Sequence, residues 1–243
     1  MAPAEHIRWF GDNVSWFEAL DPSVLDLAVP NCEGWTVESV VNHLSFGLGA
    51  AYPAAMAAAP DADEAAAFAA VEWPEVWPSG APALEAFATN MRWCADRFRA
   101  TDPATPCWTY AGPGVAAFWF RRAAIESSIH LLDVADAIAE QPAHLDDERS
   151  TDAIAETMEF ALPLGASIAG EPAGELRVDL AGTASAMSVG TGSPTATING
   201  TPLDVLNALW GRHPERVDVD GDDALAHAWL SVIESAFAGR AGT

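Results

Sequence analysis

The stretch that decides the fold is VAAFWFRRAAIESSIHLLDVADAIA, from Val115 to Ala139. Its apolar residues point in every direction around a helix, a distribution typical of a helix that is buried on all sides. At about 100° per residue, four of its ionisable residues nevertheless share an arc of about 80°. They are Arg122, Glu126, His130 and Asp133. One charged stripe on a buried helix predicts a polar site inside a helical bundle.

Glu126 and His130 are the first candidate ligands on this stripe. Their i, i+4 spacing brings both side chains to one point above the helix, an arrangement that can chelate a metal ion. A buried carboxylate without a partner would take up a proton instead of staying charged. The alternative is a salt-bridged network, in which Arg122 pairs with Glu126 and His130 pairs with Asp133. This helix alone does not decide between the two interpretations.

A second helix supplies a third candidate ligand, His43. This helix has the sequence TVESVVNHLSFGLG and begins after Trp35, with Thr36 as its expected N-cap. His43 lies at the edge of its apolar stripe, and Gly47 leaves room one turn further on. Two histidines and one carboxylate suit zinc, iron or nickel, and three protein ligands leave coordination positions open, as in catalytic sites. We therefore predict a metal site made of His43, Glu126 and His130.

Helical periodicity extends over about the first 140 residues and then stops. Helices are expected at about 4–20, 36–51, 82–99 and 115–139, which predicts a four-helix bundle. The polar stretch EQPAHLDDERS then interrupts the pattern. A helix is expected at about 151–162, followed by the short strands ELRVDL, ASAMSV and TATING and two further helices. The predicted class is α+β, with a bundle at 1–145 and a linker helix and small α+β domain at 150–243.

The composition limits the classes of partner. The chain has 35 acidic and 11 basic residues, for a net charge of −24, so no basic patch is expected to neutralise nucleic acid or an anionic membrane. No apolar run reaches the roughly 18 residues needed to span a bilayer. Cys32, Cys94 and Cys107 form no CxxC pair, which fits a reducing cytoplasm. We expect a cytoplasmic monomer or homodimer that acts on a small molecule, with no base beside Cys32 and no cysteine near the ligands.

Two segments resemble a known family. VPNCEGWTVESVVNHL (29–44) is similar to the part of DinB-like proteins in which a Trp turn leads into a helix with a metal-binding His. RRAAIESSIHLLDVADA (121–137) is similar to the matching fourth-helix segment. The chain resembles in particular the actinobacterial mycothiol-dependent maleylpyruvate isomerase family. That family joins a DinB-like bundle to a smaller α/β domain related to sterol carrier proteins, which residues 201–230 resemble.

The resemblance implies a zinc enzyme that uses a thiol cofactor. The family's metal ligands fall on His43, Glu126 and His130; the metal is expected to be zinc or another divalent ion such as nickel. The family also implies bound mycothiol, whose thiolate would add to an alkene and be eliminated after bond rotation, giving cis–trans isomerisation. Arg122 and Arg212, the latter in a Gly-Arg pair of the second domain, are candidates for holding a carboxylate substrate.

Three alternatives to an isomerase stay open. A mycothiol S-transferase would share the thiolate and differ only after the first step. A metal-dependent hydrolase would use metal-bound water and need a base, for which Asp133 is the candidate unless it orients His130 or Arg122. A binding module with a vestigial metal site is the third, although the presence of all three ligands argues against it.

Overall fold

The computed structural model of the chain describes residues 1–140, 144–182 and 186–237. Two compact units account for them, one of residues 1–140 and one of residues 144–237. Helices dominate the first unit and the second contains a sheet, so the predicted α+β class is confirmed. The predicted domain limits, 1–145 and 150–243, stay a prediction. They also include residues 141–143, 183–185 and 238–243, which lie outside the described residues.

Long helices build the first unit as the predicted bundle. They are α1 (Pro3–Glu18), α2 (Val37–His43) with its continuation through a π-helical stretch (Leu44–Ala50) into α3 (Ala51–Ala57), α5 (Ala81–Ala100) and α6 (Ala117–Ile138). Shorter elements connect them: a 3-10 turn (Pro22–Val24), α4 (Glu64–Phe68) and an antiparallel hairpin of β1 (Pro106–Thr109) and β2 (Gly112–Val115). The sequence did not predict the hairpin.

Helix α2 starts where its capping residue predicts. The Thr36 hydroxyl accepts a hydrogen bond from the Ser39 backbone N–H at 3.3 Å, and the Ser39 hydroxyl accepts one from the Thr36 backbone N–H at 3.2 Å. The expectation that this helix ends before Pro53 is wrong. Pro53 lies inside α3 and is buried. The helix continues into α3 from the π-helical stretch and lacks the backbone hydrogen bond that proline cannot donate.

Aromatic rings and one amide hold α1, α5 and α6 together. The ring centroids of Phe10 and Phe98 are 5.6 Å apart, and those of Phe98 and Phe120 are 4.9 Å apart. Burying a ring of this size contributes about 1.5–3 kcal/mol. Asn13 of α1, which is fully buried, places its Nδ2 2.9 Å from the hydroxyl of Ser127 and 2.8 Å from that of Ser128. These contacts fix α6, the helix with the charged stripe, against α1.

The second unit packs helices on one face of a twisted sheet. Its elements are α7 (Asp147–Glu156), a π-helical stretch (Thr157–Ala161), α8 (Leu162–Ala169), β3 (Glu175–Leu180), β4 (Ala186–Gly190), β5 (Thr195–Gly200), α9 (Pro202–Leu209), a 3-10 turn (Pro214–Arg216), β6 (Asp218–Gly221) and α10 (Asp223–Phe237). The strand order is β4-β3-β5-β6, with β3 and β5 parallel. The predicted strands are present, although residues 184 and 185 of ASAMSV lie outside the described residues.

Alternation along β3 shows which face is covered. Leu176, Val178 and Leu180 are buried, whereas Arg177 and Asp179 between them are exposed. Helices α9 and α10 contact β3 and β5, so they cover the apolar face. Among the described residues of both units, no helix is both long and apolar enough to cross a membrane.

Candidate metal centre

The three predicted ligands meet in the first unit. The Nε2 atoms of His43 and His130 each lie 3.5 Å from Glu126 Oε1. One donor atom from each residue lies within 4.8 Å of the other two. Zinc bonds of about 2.0–2.2 Å in a tetrahedral arrangement place neighbouring ligand atoms about 3.3–3.6 Å apart. The two distances to Glu126 therefore match the spacing of ligand atoms around a zinc ion. The assignment of the three residues as ligands stays a prediction.

The π-helical stretch after His43 sets which side chains face α6. Nine residues separate His43 from Tyr52, a rotation of about 900° in an α-helix, which would put them on opposite sides. A π-helix bonds each N–H five residues back and so rotates less per residue. Tyr52 consequently packs on Trp119 of α6 with ring centroids 4.6 Å apart, while His43 meets Glu126 of the same helix.

Arg122 is committed to Glu126. Its side chain is fully buried, and its Nη2 donates a hydrogen bond to Glu126 Oε2. Burial by itself would raise the pKa of the Glu126 carboxyl, but the charge of Arg122 and hydrogen bonds with the two histidines hold that pKa well below its usual range. Oε1 is left facing the histidines. The ion pair that the sequence offered as an alternative thus forms, and it keeps the candidate ligand charged.

His130 is held on its other side by Asp133. His130 Nδ1 lies 3.0 Å from Asp133 Oδ2, and the Asp133 side chain is fully buried. Burial by itself would lower the pKa of His130, but its hydrogen bonds, first that with Asp133, raise the pKa well above its usual range. A carboxylate on the far nitrogen is the usual partner of a metal-binding histidine. This position favours the orienting role for Asp133 over the role of a base.

Trp35 forms a wall beside both histidines. Its ring is stacked on His130 at an interplanar angle of 14° with centroids 6.0 Å apart, and its centroid lies 5.2 Å from that of His43. Burial lowers the pKa of His43, and its Nδ1 meets no hydrogen-bond partner among the described residues. The orientation of His43 therefore depends on packing against Trp35 and on Glu126, whereas His130 has a carboxylate behind it.

Cys32 also lies beside the site, so the expectation of no cysteine near the ligands is wrong. Its Sγ is 3.4 Å from Asp133 Oδ2, and the residue is only partly buried. A tight turn brings it there, in which the Trp35 backbone N–H donates to the Cys32 carbonyl and Gly34 adopts a positive φ of 80°. The sequence shows this turn, but the contact with α6 spans 101 residues, and no local pattern reveals it.

Arg212 belongs to the second unit. It follows α9, where its backbone N–H donates to the Asn207 carbonyl at 2.8 Å and its guanidinium donates to the Trp210 carbonyl. Its predicted role in holding a carboxylate substrate stays a prediction.

The chain matches one family model and two crystal structures. Residues 12–135 match the model of the mycothiol maleylpyruvate isomerase N-terminal domain. Two crystal structures share the fold: a histidine-to-alanine mutant of mycothiol-dependent maleylpyruvate isomerase (TM-score 0.60) and the enzyme itself (TM-score 0.57), each 16% identical. Each alignment covers 90% of this chain and 93% of the other. No curated protein matches. Because the family model spans half the chain, the chain belongs to the mycothiol maleylpyruvate isomerase N-terminal domain family.

Proposed function

We propose that the chain is a zinc-dependent, mycothiol-using isomerase of a small unsaturated acid. The observation that carries this proposal is that His43 Nε2 and His130 Nε2 each lie 3.5 Å from Glu126 Oε1, in one cluster of three possible ligands. Family membership supports an enzyme that works with mycothiol. The two matched crystal structures are of a mycothiol-dependent maleylpyruvate isomerase, which supports a substrate of that class.

The donor set suits zinc in a site that stays open. Two neutral imidazoles and one carboxylate leave about one unit of formal positive charge on a divalent ion. The ligand side chains are 12–13% exposed, so the pocket is largely sheltered without being closed. When bound, zinc would supply a Lewis acid that lowers the pKa of an incoming thiol and favours its thiolate.

The chain's own residues prepare this pocket. Arg122 keeps Glu126 ionised and occupies one of its oxygens, so that Oε1 is the oxygen available for a metal ion. Asp133 fixes the His130 ring with Nε2 toward the pocket. Trp35 covers both imidazoles and limits the access of water. Since Arg122 is fully buried and already paired with Glu126, we assign it to this ligand and not to a substrate carboxylate.

Metal content tests the ligand set. The purified full chain should hold one divalent ion, and His43→Ala or His130→Ala should abolish its retention. His227→Ala is the matched control, because that side chain is 73% exposed in the second unit and should change nothing. Wild-type protein that neither contains nor takes up metal would refute the site.

Cobalt substitution tests the thiol. We expect a thiolate-to-cobalt charge-transfer band when mycothiol is added to the Cys32→Ser variant, in which the nearby protein sulfur cannot produce the band. His43→Ala in the same background should show none. If the spectrum does not respond to mycothiol, the thiol mechanism fails and hydrolysis by metal-bound water becomes the better interpretation. Net consumption of mycothiol during turnover would instead indicate an S-transferase.

A further inference from the structure

A second group of metal-binding side chains lies on the far side of His130. Cys32, His130 and Asp133 each offer one donor atom within 4.8 Å of those of the other two. The two described clusters share the His130 imidazole but use its opposite nitrogens. Nε2 lies 3.5 Å from Glu126 Oε1, and Nδ1 lies 3.0 Å from Asp133 Oδ2, the oxygen that Cys32 Sγ also contacts.

The distances in this second cluster lie within a few tenths of an ångström of those in a metal site. Asp133 Oδ2 is 3.4 Å from Cys32 Sγ and 3.0 Å from His130 Nδ1. A zinc-like ion with bonds of about 2.3 Å to sulfur and about 2.0–2.2 Å to nitrogen and oxygen separates such atoms by about 3.3–3.6 Å. Small side-chain shifts therefore suffice to bring all three donors onto one ion.

The donor atoms of the cluster determine which metal ion it would bind. Thiolate sulfur and imidazole nitrogen favour thiophilic divalent ions such as zinc or cadmium over magnesium or calcium. Asp133 is fully buried, whereas Cys32 is partly exposed, so an ion can enter from the side of the cysteine turn. The His43 cluster has no sulfur among its donors. A thiophilic ion therefore has a reason to bind here as well.

We propose that Cys32, His130 and Asp133 form a second, weaker site for a thiophilic divalent ion. Binding releases the proton of the Cys32 thiol and that of His130 Nδ1 to solvent, and the ion takes their places. The site is weaker than the His43 site because the ion competes with the Nδ1–H···Asp133 hydrogen bond. Its occupation also removes Asp133 from its role of orienting His130, so excess metal lowers the activity of the proposed enzyme.

Cadmium titration of the full, chelator-treated chain tests this site without any added thiol. We expect a second equivalent of cadmium to bind with an ultraviolet cadmium–thiolate charge-transfer band. Because the His43 cluster contains no sulfur, this band reports only the second site. In Cys32→Ser the first equivalent should still bind, the band should disappear, and the affinity for the second equivalent should fall by more than about tenfold.

Two further variants separate this proposal from the proposed function. His43→Ala should lose the first equivalent and keep the band, so the second site stands or falls without the first. Cys94→Ala should keep the band, because Cys94 is fully buried and belongs to neither described cluster of possible ligands. Circular dichroism melting checks that each variant is folded. A wild-type titration without the band, or a band that persists in Cys32→Ser, overturns the second site and leaves the His43 site untouched.

Discussion

Replacing Arg122 with Met tests the buried ion pair that keeps Glu126 charged. The variant leaves a carboxylate that is 13% exposed without its guanidinium partner. Removing one partner of a buried pair costs about 3–5 kcal/mol. Glu126 can limit this cost by taking up a proton, which costs about 3.7 kcal/mol at pH 7 for a carboxyl with an ordinary pKa of about 4.3. We therefore expect a loss of about 3–4 kcal/mol in the free energy of unfolding at pH 7.

The pH dependence distinguishes this mechanism from simple loss of packing. In the wild type the depressed pKa of Glu126 stabilises the fold above the unfolded-state pKa, and this contribution is lost as the pH falls through the folded pKa. Between pH 5 and pH 7 this contribution is constant, because both values lie above the unfolded-state pKa. In Arg122→Met the protonation of Glu126 costs less as the pH falls, so the defect should shrink by about 1.4 kcal/mol per pH unit, to about 1 kcal/mol at pH 5.

Urea unfolding with a chelator present, from pH 5 to pH 7.5, measures this effect. Arg92→Met is the matched control in the same unit, because Arg92 pairs with Glu18 at 2.8 Å on the surface and is 67% exposed. It should leave the free energy of unfolding nearly unchanged. A defect in Arg122→Met below about 1 kcal/mol at pH 7, or one that does not vary with pH, would refute the reasoning.

Three further predictions concern the site and the second unit. Asp133→Asn should weaken zinc binding about 10–100-fold in a competition titration, since the carboxylate behind His130 is lost; unchanged affinity would remove its orienting role. Zinc affinity should rise about tenfold per pH unit between pH 6 and 7, because the ion displaces a proton from His130, whose pKa is raised; a flat profile would contradict this. Gly165→Ala should destabilise the second unit on thermal melting, since its Cβ would lie 2.0 Å from the Val232 carbonyl oxygen, whereas Gly11→Ala has space and should stabilise α1 by about 0.5–1 kcal/mol; equal melting shifts would refute the close approach.

Local patterns predicted most of the helices and the residues of the site. The bundle helices follow from apolar periodicity, and the start of α2 follows from Thr36, because both signals lie within a few neighbouring residues. The charged stripe of α6 placed Glu126 and His130 side by side, since a helix fixes the geometry of residues four apart. Placing His43 in the site required a contact between two helices. The sequence showed only a possible third ligand at the edge of the apolar stripe of its helix.

Contacts across the chain and departures from regular geometry were beyond sequence reasoning. The hairpin of β1 and β2 has strands of four residues, one of them GPGV, and this offers too little alternation to detect. The place of Cys32 depends on how its turn docks on α6. Pro53 gave a misleading stop signal, because the π-helical stretch before it has no pattern that separates it from an α-helix.

That π-helical stretch makes the site sensitive to how the helix is hydrogen-bonded, beyond the identity of its residues. If the same residues formed a regular α-helix, the nine steps from His43 to Tyr52 would amount to about 900°, and the two side chains would lie on opposite sides. His43 would then leave the face that Tyr52 shares, and the site would lose a donor while the core kept its composition. A chain shortened by one residue between Leu44 and Ala50 would instead form a regular helix of eight steps, about 800°, which leaves the two residues only about 80° apart. A one-residue gap at this point in a related sequence would therefore mark a protein that keeps the site without the π-helical stretch.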